Sequence, residues 1–239
     1  MATVKGIILY DGPSQLDGKP IVVLLTGLSR NYNPKTGDML QTWILRSDAH
    51  PRNISEAKED SSICGNCPHR HSLGGKCYVN LTHGPSAVYR AYLRGNYTPV
   101  DQVDLPALIS GRMIRFGSYG DPAAAPIGIW LELLRYAAGN TGYTHQWRTC
   151  DIRFREFCMA SCDSLLDFVE AQAAGWRTFT VGTAPDKAVV CPASKEAGRK
   201  LTCASCKACC GTGSGRVSHI TLQPHGFKIG RVRAAVTAG

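Results

Sequence analysis

The sequence predicts an α/β protein with a partial (β/α) barrel-like parallel sheet, a β-rich N-terminal segment and two Cys-rich metal-binding loops. Three observations lead to this prediction. Short apolar segments separated by turn residues fill the first part of the chain. From residue 111 onward, strand and helix patterns alternate, which is typical of a parallel sheet with crossover helices. Eight of the eleven cysteines fall into two compact groups.

Residues 1–60 form the β-rich lead-in, and its apolar segments are separated by Gly-Pro, Asn-Pro and Thr-Gly-Asp turns. Residues 61–83 follow as a polar loop that carries cysteine and histidine and shows little periodicity. Pro85 then suits the first position of a helix that Gly95 ends. The strand candidates of the lead-in are 7–10, 21–26 and 40–45.

Residues 84–222 form the predicted α/β core. A helix is expected after Pro126, because apolar residues recur at helical spacing until Gly139. Another is expected after Asp163 or Ser164 as N-cap. The strand candidates are 113–117, 143–147, 158–161, 176–181, 188–191 and 217–222.

The size and charge of the chain narrow the possible functions. A length of 239 residues suits one domain, 1–239, which ends in a basic tail over 223–239. The formal net charge of +9 favours a polyanionic partner, and we expect nucleic acid, DNA before RNA. A generally basic surface without a specific partner gives the same composition.

The sequence predicts a cytoplasmic protein without a membrane span. The first ten residues contain neither a long apolar region nor a cleavage site. No segment approaches the ~20 apolar residues that cross a bilayer. Because thiols stay reduced in the cytoplasm, the cysteine groups are interpreted as metal ligands or redox motifs and not as disulfides.

The first cysteine group comprises Cys64, Cys67 and Cys77, with His69, His71 and His83 nearby. Thiolates three residues apart can face one ion or one cluster, because the two residues between them form a tight turn. Three thiolates and a histidine make a closed zinc site, whereas three thiolates alone leave one iron of a 4Fe–4S cluster open. The spacing does not decide between these alternatives.

The second group repeats cysteine at three-residue intervals over Cys203, Cys206 and Cys209. Cys191 is the natural fourth ligand, and Cys210 competes with it for that place. Iron–sulfur proteins often use such a repeat, and a four-cysteine zinc knuckle is the alternative.

Functional residues of α/β sheets collect beyond the C-terminal ends of parallel strands. Segments 117–121, 145–148, 161–163 and 192–194 are expected at such ends, which indicates an enzyme. Asp121 is a candidate nucleophile, base or amine ligand, and the alternative is that it caps the following helix.

His145 is a candidate catalytic residue, although a lone histidine is more often structural. Arg148 at the same predicted strand end is a candidate substrate contact. Arg90 and Arg94 are interleaved with tyrosines, a pattern that suits nucleic acid but also occurs on solvated helix faces.

Together these residues resemble a known family. The cysteines ending in Cys77-Tyr78, with a strand and a Gly-Asp-Pro turn about forty residues later, resemble a divergent radical S-adenosylmethionine barrel. The late group that begins at Cys191 resembles the auxiliary cysteines of that class. The layout over residues 60–212 is most similar to uncharacterised bacteriophage proteins of the mycobacteriophage "gene product eighty-eight" type, which would place the protein in an infected bacterium.

The resemblance implies specific roles. Cys64, Cys67 and Cys77 would ligate a 4Fe–4S cluster whose open iron takes the methionine end of S-adenosylmethionine. The cofactor's amino group would be held where the family has a Gly-Gly-Glu-Pro turn. Two departures are visible: the spacings between the cysteines are two and nine residues, and an aspartate stands where glutamate is common. The positions of this chain that match the turn are Gly117, Gly120 and Asp121.

Two other functions fit the same residues. One is a zinc-stabilised, transglycosylase-like enzyme that exchanges guanine for a deazaguanine in DNA, with Asp121 as nucleophile. The other is a non-enzymatic, zinc-stabilised protein that binds nucleic acid. Replacement of Asp121 separates them, because only the enzymes are expected to lose function.

Overall fold

A computed structural model describes residues 4–29, 33–182, 185–186 and 188–223. The basic tail predicted over 223–239 lies outside this range except for Gln223. The strands are β1 (Ile7–Pro13), β2 (Pro20–Thr26), β3 (Leu40–Arg46), β4 (Thr98–Pro99), β5 (Met113–Tyr119), β6 (Gly139–Thr141), β7 (Tyr143–Thr144), β8 (Met159–Cys162), β9 (Thr178–Val181), β10 (Ala188–Val190) and β11 (His219–Leu222). The α-helices are α1 (Pro51–Glu56), α2 (Ser61–Cys64), α3 (Gly84–Leu93), α4 (Leu105–Ile109), α5 (Ile127–Tyr136), α6 (Leu165–Ala173) and α7 (Cys203–Cys206).

The first sheet has the strand order β4-β1-β2-β3-β5-β6. β1, β2 and β3 form an antiparallel meander, and β5 then pairs parallel with β3. The β-rich lead-in is therefore part of the same sheet as the first core strand. Its central strand is buried on both faces, because the five consecutive apolar side chains from Ile21 to Leu25 of β2 are all fully buried.

The second sheet, β10-β11-β9-β8-β7, is parallel throughout. Of the nine pairs of neighbouring strands in the described residues, seven are parallel. The predicted α/β class and the parallel pairing of the core strands are confirmed.

The two sheets adjoin at Gly142, the single residue between β6 and β7. β6 pairs with β5 on one side, and β7 pairs with β8 on the other. The carboxyl ends of β5, β7 and β8 consequently lie next to one another. Gly142 has no room for a side chain, since an added Cβ would lie 2.8 Å from the Cys158 sulfur.

The apolar core lies between the sheets and the helices that cover them. Trp130 of α5 is fully buried, with its ring 4.9 Å from that of Phe116 of β5. A smaller apolar cluster of Met159, Ala208, Cys209 and Ile220 packs beneath the second cysteine group. Among the described residues, no helix has the length and apolar character needed to cross a membrane.

One predicted strand is too long. The segment 143–147 was expected to be extended, but β7 ends at Thr144 and the chain turns at His145. The cause is Asp121, whose carboxylate accepts hydrogen bonds from the Thr144 hydroxyl (2.7 Å) and from the His145 backbone amide (2.8 Å). These bonds bend the chain away from the β8 ladder.

Candidate metal centres and active site

The first cysteine group is brought together by a compact loop after α2. The Cys67 amide donates to the Cys64 carbonyl (3.2 Å), and the Cys77 amide donates to the His69 carbonyl (3.0 Å). The second bond folds the nine-residue spacer back, so that Cys77 returns to the other two thiols. Burial, reinforced by the thiols of Cys77 and Cys67, raises the pKa of Cys64 well above its usual range.

Buried Asp60 anchors this loop. Its carboxylate accepts hydrogen bonds from the Ser72 hydroxyl (2.5 Å) and from the Ser72 amide (3.2 Å). Arg70 forms an ion pair with Asp60 at 3.4 Å and donates to the Cys67 carbonyl at 3.3 Å. The polar composition of the loop therefore serves to fix its backbone around the cysteines.

Gln146 joins the loop to the sheet. Its side-chain amide donates to the Cys64 carbonyl (3.2 Å) and accepts from the Asn66 amide (3.4 Å). Gly65 has a φ of 58°, and a Cβ there would lie 2.3 Å from the Gln146 side chain. A glycine is required at this position, because only it allows both the left-handed φ and the close approach.

Asp121 lies 7% exposed at the end of β5. Besides the two bonds that bend β7, its carboxylate accepts from the Ala123 amide (3.0 Å) and caps the 3-10 helix Pro122–Ala124. Its own amide donates to the Ile63 carbonyl (2.6 Å). Burial raises the pKa of this carboxyl, and the three hydrogen bonds oppose that rise. Asp121 thus ties the cysteine loop, the turn after β5 and the end of β7 together.

The turn itself is shaped by two glycines with positive φ, Gly117 (64°) and Gly120 (84°). A Cβ at Gly120 would lie 2.7 Å from the Ile44 side chain and 2.8 Å from its carbonyl oxygen. Gly120 therefore has a packing role in addition to any contact with a ligand.

His145 lies beside the first cysteine group, as the sequence indicates for a strand end. Its Nε2 is 3.8 Å from the Cys67 sulfur and 3.4 Å from Asp163 Oδ2. His69 from the loop places its Nε2 2.7 Å from Asp163 Oδ1. Although burial opposes the change, hydrogen bonds to Asp163 and Cys67 raise the pKa of His145 to about 10.

Asp163 is the residue of this site that sequence reasoning missed as a functional group. The sequence places it at the end of the strand-end segment 161–163 but gives it no role beyond that of a possible helix N-cap, and Ser164 takes that role by accepting a hydrogen bond from the Asp167 amide at its side-chain oxygen. Despite partial burial, hydrogen bonds from His145 and His69 lower the pKa of Asp163. The available signal was its position directly after β8.

The second cysteine group assembles around α7. Thr202 caps this helix, and the Cys203 and Ala204 amides donate to the Lys35 and Thr36 carbonyls, both at 3.1 Å. Burial raises the pKa of Cys191, Cys203 and Cys209, that of Cys209 to about 12. The Cys209 thiol is also influenced by the thiols of the other three predicted ligands, Cys191, Cys203 and Cys206.

Cys209 and Cys210 occupy different environments. Cys209 is 7% exposed and interacts electrostatically with the other three thiols, and Tyr143 is its hydrogen-bond partner. The Cys210 sulfur instead lies 3.2 Å from the Lys207 carbonyl and 3.2 Å from the Ser214 hydroxyl. Because the Cys191 thiol interacts with those of Cys203 and Cys206, this geometry favours Cys191 over Cys210 as the fourth member of the set.

Arg115 lies between the two cysteine groups. Its guanidinium donates to the hydroxyl of Tyr78, the residue after Cys77. Burial raises the pKa of the Cys203 thiol, and the positive charge of Arg115 partly opposes that rise. Both cysteine groups therefore lie close to Arg115 of β5, and they do not lie at opposite ends of the molecule.

The arginines predicted to contact substrate are dispersed. Arg148 stacks on Trp147 at 3.8 Å and pairs with Asp167 (2.6 Å) and Glu170 (2.5 Å). Arg90 and Arg94 are exposed on α3 and at its end. The charge of Arg90 adds to the lowering of the pKa of His50, next to α1, and the charge of Arg94 opposes the rise in pKa that burial gives Tyr97. Both arginines therefore lie beside the first sheet.

A cavity of about 730 Å³ borders the first cysteine loop. Gly65 and Asn66, which separate Cys64 from Cys67, form part of its wall, as does Gln146. Arg70, Cys150 and Asp151 add polar groups to the lining. The volume is in the range of small-molecule sites.

The ligand spacing differs between the sites. Among the described residues, one set of three potential ligands has donor atoms that all lie within 4.8 Å of one another. This set is His69, His145 and Asp163. Each cysteine group is therefore more widely spaced than this. In a tetrahedral zinc site with bonds of about 2.3 Å, sulfurs are about 3.8 Å apart.

Comparisons of the chain with protein-family models, curated proteins and solved structures find no match.

Proposed function

We propose that this protein is a phage-type metalloenzyme that modifies nucleic acid or a nucleotide with radical S-adenosylmethionine-like chemistry. The observation that carries the proposal is the convergence of Cys64, Cys67 and Cys77 beside the Gly120–Asp121 turn, at the carboxyl end of a parallel strand. The proposal includes a partial barrel formed by the two adjoining sheets, with metal held by both cysteine groups.

The donor sets fit iron–sulfur clusters. Thiolates bound to separate irons of one cluster lie farther apart than thiolates on one zinc ion. Among the described residues, no three sulfurs of either cysteine group all lie within 4.8 Å of one another, which favours a cluster over a single zinc ion. The three thiols of the first group would leave one iron without a protein thiolate. Such a centre supplies single electrons to a bound sulfonium cofactor. Cys191, Cys203, Cys206 and Cys209 would hold the second cluster.

The residues around the first group have distinct tasks in this proposal. Asp60 and Gln146 keep the loop backbone in place, so that the thiols are positioned before metal binds. The turn containing Gly117 and Gly120 offers backbone groups to the cofactor, while Asp121 holds that turn to the loop. We place the substrate in the 730 Å³ cavity, whose wall includes the loop residues Gly65 and Asn66.

The transglycosylase-like alternative receives less support from the geometry. A nucleophilic aspartate needs an accessible oxygen, but Asp121 is 7% exposed and already accepts three hydrogen bonds. The net charge of +9 supports a polyanionic substrate equally for every function considered.

Anaerobic purification followed by iron, zinc and acid-labile sulfide analysis tests the proposal. We expect about eight irons with matching sulfide per chain and a broad visible absorption, as two four-iron clusters require. Zinc without sulfide would refute it and favour a zinc-stabilised protein.

A matched pair of variants makes the test specific to the second group. Cys209→Ser is expected to lose about four irons per chain, because one thiolate of that cluster is removed. Cys210→Ser is expected to retain them, since its thiol contacts Lys207 and Ser214 instead. Equal iron loss in both variants would contradict the assignment.

A further inference from the structure

His69, His145 and Asp163 bring three donor atoms to one point from three separate segments of the chain. His69 belongs to the cysteine loop, His145 follows β7 and Asp163 follows β8. All three atoms lie within 4.8 Å of one another. Each of these side chains keeps between 21% and 34% of its surface exposed, so a solute can reach them.

The contacts of His145 do not match a hydrogen-bonded relay. In a Cys–His–Asp relay, the two partners occupy different ring nitrogens of the histidine. Here both the Cys67 sulfur (3.8 Å) and Asp163 Oδ2 (3.4 Å) approach the same atom, Nε2. One ring nitrogen carries either one proton or one lone pair, so it cannot serve both partners fully.

The same atoms are arranged as ligands around a cation. Donors bonded at about 2.0–2.2 Å in tetrahedral geometry lie roughly 3.3–3.6 Å apart. The 3.4 Å between His145 Nε2 and Asp163 Oδ2 fits this spacing. The 2.7 Å between His69 Nε2 and Oδ1 needs only a small opening.

We propose that His69, His145 and Asp163 bind one divalent transition-metal ion, Zn²⁺ or Fe²⁺, next to the first cysteine group. Two imidazoles and a carboxylate are a ligand set that leaves coordination positions open for water or substrate. The site uses none of the seven predicted cysteine ligands, and it adjoins the first group where the Cys67 sulfur lies 3.8 Å from His145 Nε2.

Neighbouring bonds hold two of the ligands in position. The His145 amide donates to Asp121 Oδ2 at 2.8 Å. The Asp163 amide donates to Asp167 Oδ2 at 3.0 Å. These bonds fix the backbone that carries the two ligands, and so limit the positions that their side chains can take.

Metal titration of the full-length protein with its clusters loaded tests the proposal, with Co²⁺ followed by difference spectroscopy and Zn²⁺ in competition with a chromophoric chelator, because empty cysteine groups would bind both ions. We expect one ion per chain with cobalt d–d bands of nitrogen and oxygen ligands. Asp163→Asn and His69→Gln should each weaken its binding by more than about 100-fold, since even supporting contacts alter affinity by up to that factor. Asp101→Asn and His83→Gln, at exposed positions, are the matched controls.

Two results would overturn the proposal. One is unchanged Co²⁺ and Zn²⁺ affinity in both site variants. The other is a cobalt spectrum dominated by thiolate charge-transfer bands in the wild-type protein. Iron and sulfide analysis of the same samples keeps the two proposals apart, because Asp163→Asn and His69→Gln should retain the cluster iron. Using two variants on different segments guards against a folding defect in either one.

Discussion

At the scale of single residues, the buried Arg46 guanidinium shows how a charge is held inside the first sheet. Its Nε and Nη2 contact the two oxygens of Asp48 at 2.8 and 2.5 Å, and Glu59 lies 3.6 Å from Nη1. The hydrogen bonds from Arg46 lower the pKa of Asp48, although its partial burial has the opposite, smaller effect. Charged pairs with bidentate geometry are among the stronger polar contacts.

This pair predicts an acid-dependent loss of stability. Because the folded pKa of Asp48 is below the unfolded value of about 3.9, its contribution is complete above that pH and is lost as pH falls through the folded pKa. Asp48→Asn should lower the free energy of unfolding by about 1 kcal/mol at neutral pH, since half-exposed ion pairs are screened by solvent. Urea unfolding over a pH series measures this.

The comparison with wild type should change with pH. Once the pH falls below the folded pKa of Asp48, the two proteins should unfold at nearly the same urea concentration, because the wild-type carboxylate is then protonated in the native state as well. Asp101→Asn, on the exposed 3-10 helix Val100–Gln102, controls for the loss of one surface carboxylate. A stability difference independent of pH would show that charge is not the cause.

Residue spacing alone predicted part of the candidate site. The three-residue repeat indicated Cys203, Cys206 and Cys209, but spacing did not decide between Cys191 and Cys210 as the fourth ligand. That distinction depends on tertiary contacts, since the Cys191 thiol interacts with those of Cys203 and Cys206, whereas the Cys210 thiol contacts Lys207 and Ser214. Asp163 was missed for a similar reason, because its two histidine partners are 18 and 94 residues away in sequence.

At the scale of elements, the loop after α7 is fixed by one buried cation and one glycine. The Arg177 guanidinium donates to the carbonyls of Ala208 (2.8 Å), Gly211 (2.9 Å) and Ser218 (2.6 Å). Gly211 has a φ of 46°, and a Cβ there would lie 2.3 Å from the Phe157 backbone nitrogen. Backbone atoms cannot move aside as a flexible side chain can.

Gly211→Ala is therefore expected to destabilise the protein by about 3 kcal/mol, the sum of a left-handed φ and a steric clash. If the second cysteine group holds metal as proposed, that metal should be lost in parallel, because Gly211 directly follows Cys209 and Cys210. Gly198→Ala is the matched control: its φ is 65°, but nothing lies within 4 Å of an added Cβ. Only about 1 kcal/mol is expected there.

Urea unfolding and metal analysis of both variants provide the measurement. Equal stability losses in Gly211→Ala and Gly198→Ala would show that the close approach to Phe157 does not matter.

Periodic elements were predictable, whereas short ones were not. α3 and α5 closely match their predicted spans, because each carries an apolar face and begins at proline. α1, α2 and α7 have four to six residues, too few for a periodic pattern, and their ends depend on caps and loop contacts. The expected strand over 143–147 fails at Thr144, because Asp121 competes for its polar groups.

At the scale of the whole molecule, the parallel order of strands explains why distant sequence segments meet. The carboxyl ends of β5, β7 and β8 lie side by side, which places Asp121, His145 and Asp163 at one edge. Strand alternation in the sequence predicts such an edge but not which strands are neighbours. The loop of Cys64 joins the edge through the Asp121 amide and Gln146.

The charge of the whole chain leads to a prediction about nucleic acid. With 27 Lys and Arg against 18 Asp and Glu, the net charge is +9, and we expect binding to duplex DNA that weakens steeply as salt rises. Some exposed arginines are committed to carboxylates, as Arg135 is to Glu132 (3.2 Å) and Arg153 to Asp151 (2.6 Å). Arginines on α3 are better placed to meet phosphate.

The double variant Arg90→Ala/Arg94→Ala should therefore lower the slope of log affinity against log salt by about 2, one unit for each lost phosphate contact. Arg135→Ala/Arg153→Ala removes the same charge from arginines that already pair with carboxylates, and its slope should change less. Fluorescence anisotropy with a labelled duplex over a salt series gives both slopes. Equal effects of the two double variants would mean that net charge alone, and not the face of α3, governs the encounter with DNA.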